Sequence, residues 1–410
     1  MMRLNEFSAA TAPTRLARLF AALIVLASAA AQPGNCATMQ STSPTKKFAF
    51  NLFRKASEGS TDNVIVSPFS AYAALSMTLN GAGGNTRKEM AEVLGVPAND
   101  VGKLNERSRA VFDTLNKNDK VQMEVANAIY SDNSCRMKDT FMDICKKYYS
   151  AEAHSENFND PQIVGKINGW CSEKTHGKIP TIIERLSPAE KIVLLNAIYF
   201  KGTWQSQFEP RQTLDDLFMS PKGELPVKMM HKRGKLMYMR GENFQSVSLP
   251  YVDGKQRLIV FLPDKDVELP AFQAQFTEDN WSKWMQKYAS ADVSLSLPKF
   301  KVDFFIQLNK ALSDMGMRQA FSQSSADFSN MVNRDRMYIS RVLQKTFMDV
   351  NEEGTEAAAV TAVIMAKRAV SLQQQRFVEF RVDRPFVIAL VDDETDSILF
   401  LGSIVNPKRK

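Results

Sequence analysis

Few residues of this chain could carry a reaction. It has three histidines, His154, His176 and His231, and none stands in a catalytic motif. There is no G-x-S-x-G elbow and no H-E-x-x-H helix. The parts for nucleophilic acyl transfer on such an elbow, or for zinc-assisted hydrolysis, are therefore missing. Surface or loop positions are expected for the histidines. The carboxylate pair Asp392-Asp393 falls in a turn-like stretch and reads as solvated. Gly81-Ala82-Gly83-Gly84 lacks both the Lys-Ser/Thr of a phosphate loop and the spacing of a dinucleotide fingerprint. The four cysteines, Cys36, Cys135, Cys145 and Cys171, match no metal pattern. They are read either as a disulfide within 135–171 in an oxidising compartment or as buried free thiols. The chain is not expected to be an enzyme, and no cofactor or metal is expected.

The unusual chemistry lies in one stretch, Asn351 to Ala369, NEEGTEAAAVTAVIMAKRA. Three polar residues and a glycine lead into the uncharged run Ala357 to Ala366, and then Lys367 and Arg368 arrive together. An exposed apolar run with no proline and no charge invites strand pairing. A sequence that keeps such a run uses it.

Composition is that of a globular protein, 44% hydrophobic and 24% charged over 410 residues. The formal charge is +7; three arginines against one glutamate in residues 1–31 account for +2, leaving +5. Residues 1–31 read as a secretory signal peptide. Arg15 and Arg18 precede the apolar run Leu19 to Ala31, which is too short for a typical membrane span and ends in small residues. A secreted, extracellular, monomeric protein without a membrane segment is expected. Asn280-Trp281-Ser282 is an N-glycosylation sequon. Lys232, Arg233, Lys235 and Arg240 cluster around His231, with a looser set at Arg107, Arg109, Lys117 and Lys120. These are solvated faces or a site for a polyanion such as heparin. No nucleic-acid motif accompanies them.

The elements that must position these residues read as helices early and strands late, an α+β pattern without a linker. Val64–Val66 is a short strand, and Ser67 caps a helix with Pro68 in its first turn. Thr86 and Glu89 form a capping box for the next helix, which ends at Gly95. Helices are expected at 138–150, 161–175 and 306–315. The near-continuous apolar run 192–200 predicts a strand buried on both faces. Further strands are expected at 245–249, 257–262, 293–297, 345–350, 377–382, 386–392 and 398–405.

Ordered motifs resemble those of the serpins. Asn351-Glu-Glu-Gly-Thr-Glu-Ala-Ala-Ala359 is similar to the serpin hinge, and Phe380-Arg-Val-Asp-Arg-Pro-Phe-Val-Ile-Ala-Leu390 to the signature after the reactive loop. Asn63 to Ser70, Leu195 to Trp204, Leu249 to Tyr251, Leu297 to Lys301, Ala326 to Ser329 and Gly402 to Pro407 also fit. The resemblance covers residues 44–410, in the flavour of secreted arthropod serpins. It implies three β-sheets, about nine helices and an exposed reactive-centre loop at about 352–376.

It also implies a suicide mechanism. A serine protease attacks the loop as substrate, and the cleaved loop inserts into the central sheet before the acyl-enzyme is hydrolysed. Such insertion is strand addition with release of stored strain. The hinge would be Glu352, Glu353, Gly354, Thr355, Glu356, Ala357, Ala358 and Ala359, with Gly354 giving the backbone freedom at the pivot. The alternate residues Thr355, Ala357, Ala359, Thr361, Val363 and Met365 are small or apolar, so one face can enter a core. A rival local reading is a helix capped by Thr355. The family's usual loop length places the reactive bond at Arg368–Ala369, with Lys367 and Arg368 setting specificity. A guanidinium suits an acidic pocket, so trypsin-like proteases are expected, trypsin or plasmin rather than thrombin. Met365 stands where a furin-like protease would want a basic residue. A carrier or chaperone serpin is the alternative. In the implied shutter and breach stand Ser67, Ser70, Asn196, Trp204 and Gln344. Gln344 occupies a position where serpins commonly have histidine, and the segment 369–385 is a few residues longer than usual.

Overall fold

Helices come early and strands late. The structure, a computed structural model, describes residues 43–117, 121–333, 337–355 and 376–408. The first part holds α1 (Pro44–Ser57), β1 (Val64–Val66), α2 (Pro68–Leu79), α3 (Gly84–Leu94), α4 (Val101–Leu115), β2 (Val121–Asp132), α5 (Asp139–Tyr149), β3 (Glu152–Glu156) and α6 (Ile163–Lys174). Then come β4 (Ile192–Thr203), β5 (Leu214–Ser220), β6 (Gly223–Arg240), β7 (Phe244–Pro250), β8 (Gln256–Pro263), α7 (Leu269–Gln273), α8 (Glu278–Met285), β9 (Ala289–Pro298) and β10 (Phe300–Gln307). The chain closes with α9 (Asn309–Asp314), β11 (Ile339–Val350), β12 (Gly354–Thr355), β13 (Val378–Arg381), β14 (Phe386–Asp392) and β15 (Ser397–Ile404).

Among the described residues the strands form a six-stranded sheet, β10-β11-β12-β4-β2-β3, and a nine-stranded one. The three expected sheets are found this way because β6 is continuous over 18 residues. It pairs with β5 at one end, with β9 through its middle and with β7 at the other. Two sheets thus share one strand.

The run 192–200 is the heart of the six-stranded sheet. Ile192 and Leu194 face a core built from α2 to α5, and Ile198 and Phe200 face the core between the sheets. Val193, Leu195, Ala197 and Tyr199 point the other way, toward α6 and Ile179 to Ile183. Both faces are covered, which is why the run is apolar without alternation.

Several local readings give way to tertiary contacts. Thr86 and Glu89 do not cap α3. Thr86 is buried and its Oγ1 accepts from Asp327 N (2.9 Å), while Glu89 Oε2 accepts from Arg318 N and Gln319 N. The glycines before α3 allow close approach: a Cβ on Gly83 would lie 2.5 Å from the Asp327 carboxylate. The helix expected from 306 begins at Asn309, because Phe300–Gln307 pairs with β11 along its whole length. Asp392 is buried rather than solvated; its carboxylate accepts from Gln256 Nε2 and from the Thr395 amide and hydroxyl. His154 and His231 lie on β3 and β6, not in loops, and only His176 is in a loop.

Candidate functional site

The seam between β11 and β4 is held by side chains as well as backbone. The two strands run parallel, with Leu343 to Phe347 opposite Leu195 to Tyr199 and Gln344 opposite Asn196. Gln344 is fully buried. Its Oε1 accepts from Ser67 N (2.9 Å), and its Nε2 donates to Ser67 O (3.0 Å) and to Asn196 Oδ1 (2.6 Å). Asn196 Nδ2 donates on to Ser70 Oγ and Asn127 Oδ1. Ser67 Oγ donates to Leu399 O (2.6 Å), tying the cap of α2 to β15. The structure therefore brings Ser67, Ser70, Asn196 and Gln344 into one buried network. Asn127, which sequence reasoning missed, belongs to it; a lone amide inside the apolar strand Ala126-Asn127-Ala128 was the available signal. No group in this network changes charge with pH, because an amide stands where histidine is common in the family.

At the top of the seam the hinge is clasped. Asn351 shapes a turn in which its Oδ1 accepts from the Glu353 amide (3.0 Å) and its own N donates to Gly354 O. Gly354–Thr355 then enters between the strands as β12, antiparallel to both, with Thr355 opposite Gly202 and Val350. Glycine at 354 is favoured by its backbone, whose φ is +159°, and required by close approach. A Cβ there would sit 1.9 Å from Gly202 O. Thr355 is strand and fully buried, so the helix reading that made it a cap does not hold at that residue. Its hydroxyl meets Tyr251 Oη at 2.7 Å. Burial pushes the Tyr251 hydroxyl far above its ordinary pKa, so it stays protonated.

The segment after β4 holds the hinge from outside. Trp204 stacks on Tyr251 with centroids 4.6 Å apart. Its Nε1 donates to Asn351 O (3.0 Å) and its amide to Glu353 O (2.9 Å). Phe208 N donates to Glu352 O. The Glu352 carboxylate accepts from Thr213 Oγ1 (2.8 Å) and pairs with Lys299 Nζ (2.7 Å). Burial works to raise the Glu352 carboxyl, but Lys299 and Thr213 outweigh it and hold it below the ordinary carboxylate range. Tyr251, Lys299 and Thr213 were not legible as site residues, since each lies far from 351–355 in sequence.

Residues 43–407 match the family model described as Serpin (serine protease inhibitor). This chain is a serpin. It is 35% identical to Serpin B6 of Pongo abelii over 373 residues, which is 88% of this chain and 97% of that one. It is 34% identical to the Leukocyte elastase inhibitor of Xenopus laevis over 374 residues, with the same coverage of each. Among solved structures it is similar to human thyroxine-binding globulin complexed with thyroxine: TM-score 0.82, 28% identity, covering 90% of this chain and 98% of that one. Serpins are inhibitors of serine proteases rather than enzymes, although the family also holds carriers.

The rest of the expected serpin site distributes unevenly. Glu356, Ala357, Ala358, Ala359, Lys367, Arg368 and Ala369 lie outside the described residues, as do Cys36 and the leader 1–31. Cys135, Cys145 and Cys171 are buried free thiols, not a disulfide pair, and burial pushes Cys145 and Cys171 up to about 12. Asn280 sits in the first turn of α8, where its Nδ2 donates to Gln275 O (2.8 Å). The basic cluster on β6 is partly neutralised. Arg240 holds Asp264 by two bonds and Lys235 lies 3.8 Å from Asp292. Lys232 packs over Phe208 and donates to Ser206 O, and burial lowers its pKa to about 8. Among the described residues no helix is long and apolar enough to cross a membrane.

Proposed function

We propose that this serpin is a secreted suicide inhibitor of trypsin-like serine proteases, with Arg368–Ala369 as its reactive bond and residues 1–31 as its signal peptide. The supporting observation is the register of β12. Thr355 lies opposite both Gly202 and Val350. Continuing that antiparallel register places Met365 opposite Ile192 and Ser340, near the starts of β4 and β11. The uncharged run therefore has the length of the seam, and Lys367 begins just beyond it. On the core side Ala357, Ala359, Val363 and Met365 would oppose Phe200, Ile198, Leu194 and Ile192, all fully buried. Thr361 would fall between Asn196 and Gln344, the one level of the seam lined by amides.

The geometry also supplies a reason for insertion. A strand entering here replaces one parallel ladder by two antiparallel ones, the slightly more stable pairing. About ten further residues of strand span roughly 33 Å, enough to carry an acylated protease from one end of the sheet to the other. A carrier needs no match between run and seam, so the match favours the inhibitor. Acceleration by heparin has less support, because two of the four cations on β6, Lys235 and Arg240, already pair with carboxylates.

Trypsin mixed with the mature chain should give a complex that survives SDS, and the peptide released from it should begin at Ala369. Thr361→Glu, which buries a charge without a counter-ion, should turn the inhibitor into a substrate. Cleavage without a complex in the unmodified chain overturns the proposal.

A further inference from the structure

A second feature of the molecule has no part in the seam or the hinge. A cavity of about 660 Å³ lies between the start of α1, the first turns of α2 and the inner face of α4. Its wall is apolar, formed by Pro68, Phe69, Tyr72, Leu104, Val111 and Phe112. Phe69 and Phe112 pack against each other at 5.4 Å, so the wall is built and does not collapse. A volume of this size suits a small amphipathic molecule.

The polar groups gather at one side. Lys103, Arg107 and Asp100 stand along the α4 edge of the cavity. Lys103 and Asp100 neutralise each other at 2.8 Å. Arg107 makes no ion pair among the described residues, which leaves one net positive charge there. The Tyr72 hydroxyl has no hydrogen-bond partner among the described residues. Tyr72 and Arg107 both line this cavity, and burial raises the phenol to about 12, so it stays a donor. A protonated phenol and a guanidinium lining one cavity are two donors with no acceptor of their own among the described residues. A carboxylate accepts from both.

We propose that this cavity is a binding site for a long-chain monocarboxylate, its hydrocarbon body between α2 and α4 and its carboxylate on Arg107 and the Tyr72 hydroxyl. The charge rules out a purely apolar occupant as the best fit, since a guanidinium beside an apolar pocket selects an anionic head. The single unpaired cation rules out a polyanion.

The test titrates the mature chain with oleate, below its aggregation range, by calorimetry, with oleyl alcohol as the uncharged twin. Saturable binding at one site is expected, with the alcohol weaker by about ten- to hundredfold, the range of a charge-assisted hydrogen bond. Arg107→Glu, at an exposed position, should weaken oleate by at least as much while leaving the alcohol unchanged. Val111→Trp, which fills the cavity, should abolish both. An unchanged thermal midpoint in each variant shows that the fold is intact. Absence of saturable oleate binding, equal affinity for acid and alcohol, or indifference to both substitutions would overturn the proposal.

Discussion

Gln344→Leu tests the seam most sharply. The side chain is fully buried and makes three hydrogen bonds, two to the Ser67 backbone and one to Asn196. Ser67 O keeps a partner when they are lost, because it also accepts from Ala71 N. Ser67 N and Asn196 Oδ1 do not. Each buried group left unsatisfied costs about 1–3 kcal/mol, so the gross loss is about 2–6 kcal/mol. The leucine returns about 1–2 kcal/mol through burial of its apolar surface. A net destabilisation of about 1–4 kcal/mol is expected for the uninserted form, read as a lowered urea midpoint of the first unfolding transition. The Gln344–Asn196 bond also bridges the two strands that must part, so on incubation the variant should lose inhibitory activity faster than the parent. Pairing it with Asn196→Ala closes a double-mutant cycle. The two losses should add to more than the double variant shows, because the second substitution removes a group that the first had orphaned. A variant within about 0.5 kcal/mol of the parent, with strictly additive losses, would refute the reading that this network holds the sheet closed.

The hinge gives two further predictions. Gly354→Ala puts a Cβ 1.9 Å from Gly202 O, a backbone atom that cannot swing away, so β12 should leave the seam. Faster proteolytic cutting at 351–355 is expected; cutting at the parental rate would contradict the close approach. The Glu352–Lys299 pair should be pH-dependent. The folded carboxyl lies below its ordinary pKa, so its contribution is present above about pH 4.3 and is lost as pH falls through the folded value. The stability difference between the parent and Glu352→Gln, about 1 kcal/mol at neutral pH allowing for screening, should vanish in acid. A difference constant from pH 7 to pH 3 would exclude the ion pair as its source.

The sequence carried the buried late strands and the network in part, but not β2, β3, β5, β6, β10 or β12. The run 192–200 was legible because burial on both faces erases alternation, and the Ser67-Pro68 cap was legible because it is local. Gln344, Ser67, Ser70 and Asn196 were readable only through the resemblance, since residues 67 and 344 meet through long-range folding. Thr86 and Glu89 misled because they fit a local cap while their partners, Asp327, Arg318 and Gln319, sit more than two hundred residues away. Asp392 misled for the same reason, its partner Gln256 lying on a neighbouring strand. The hinge clasp was invisible: Tyr251, Lys299 and Thr213 show nothing in their own neighbourhoods that points to residues 351–355. Gly354 was singled out for its backbone, which its φ of +159° bears out; the second cause, close approach of a neighbouring strand, leaves no mark in a single chain.

The central claim is that the run after Thr355 is a strand waiting for the β11–β4 seam. Its most direct measurement is the thermal midpoint of the chain before and after one cut within residues 356–375, made by a protease that is not inhibited. Filling the seam with two new ladders should raise the midpoint by on the order of 10 °C or more, the shift expected for several kcal/mol in a protein of this size. An unchanged midpoint in fully cut protein would contradict insertion and leave the hinge as an anchored but inert turn.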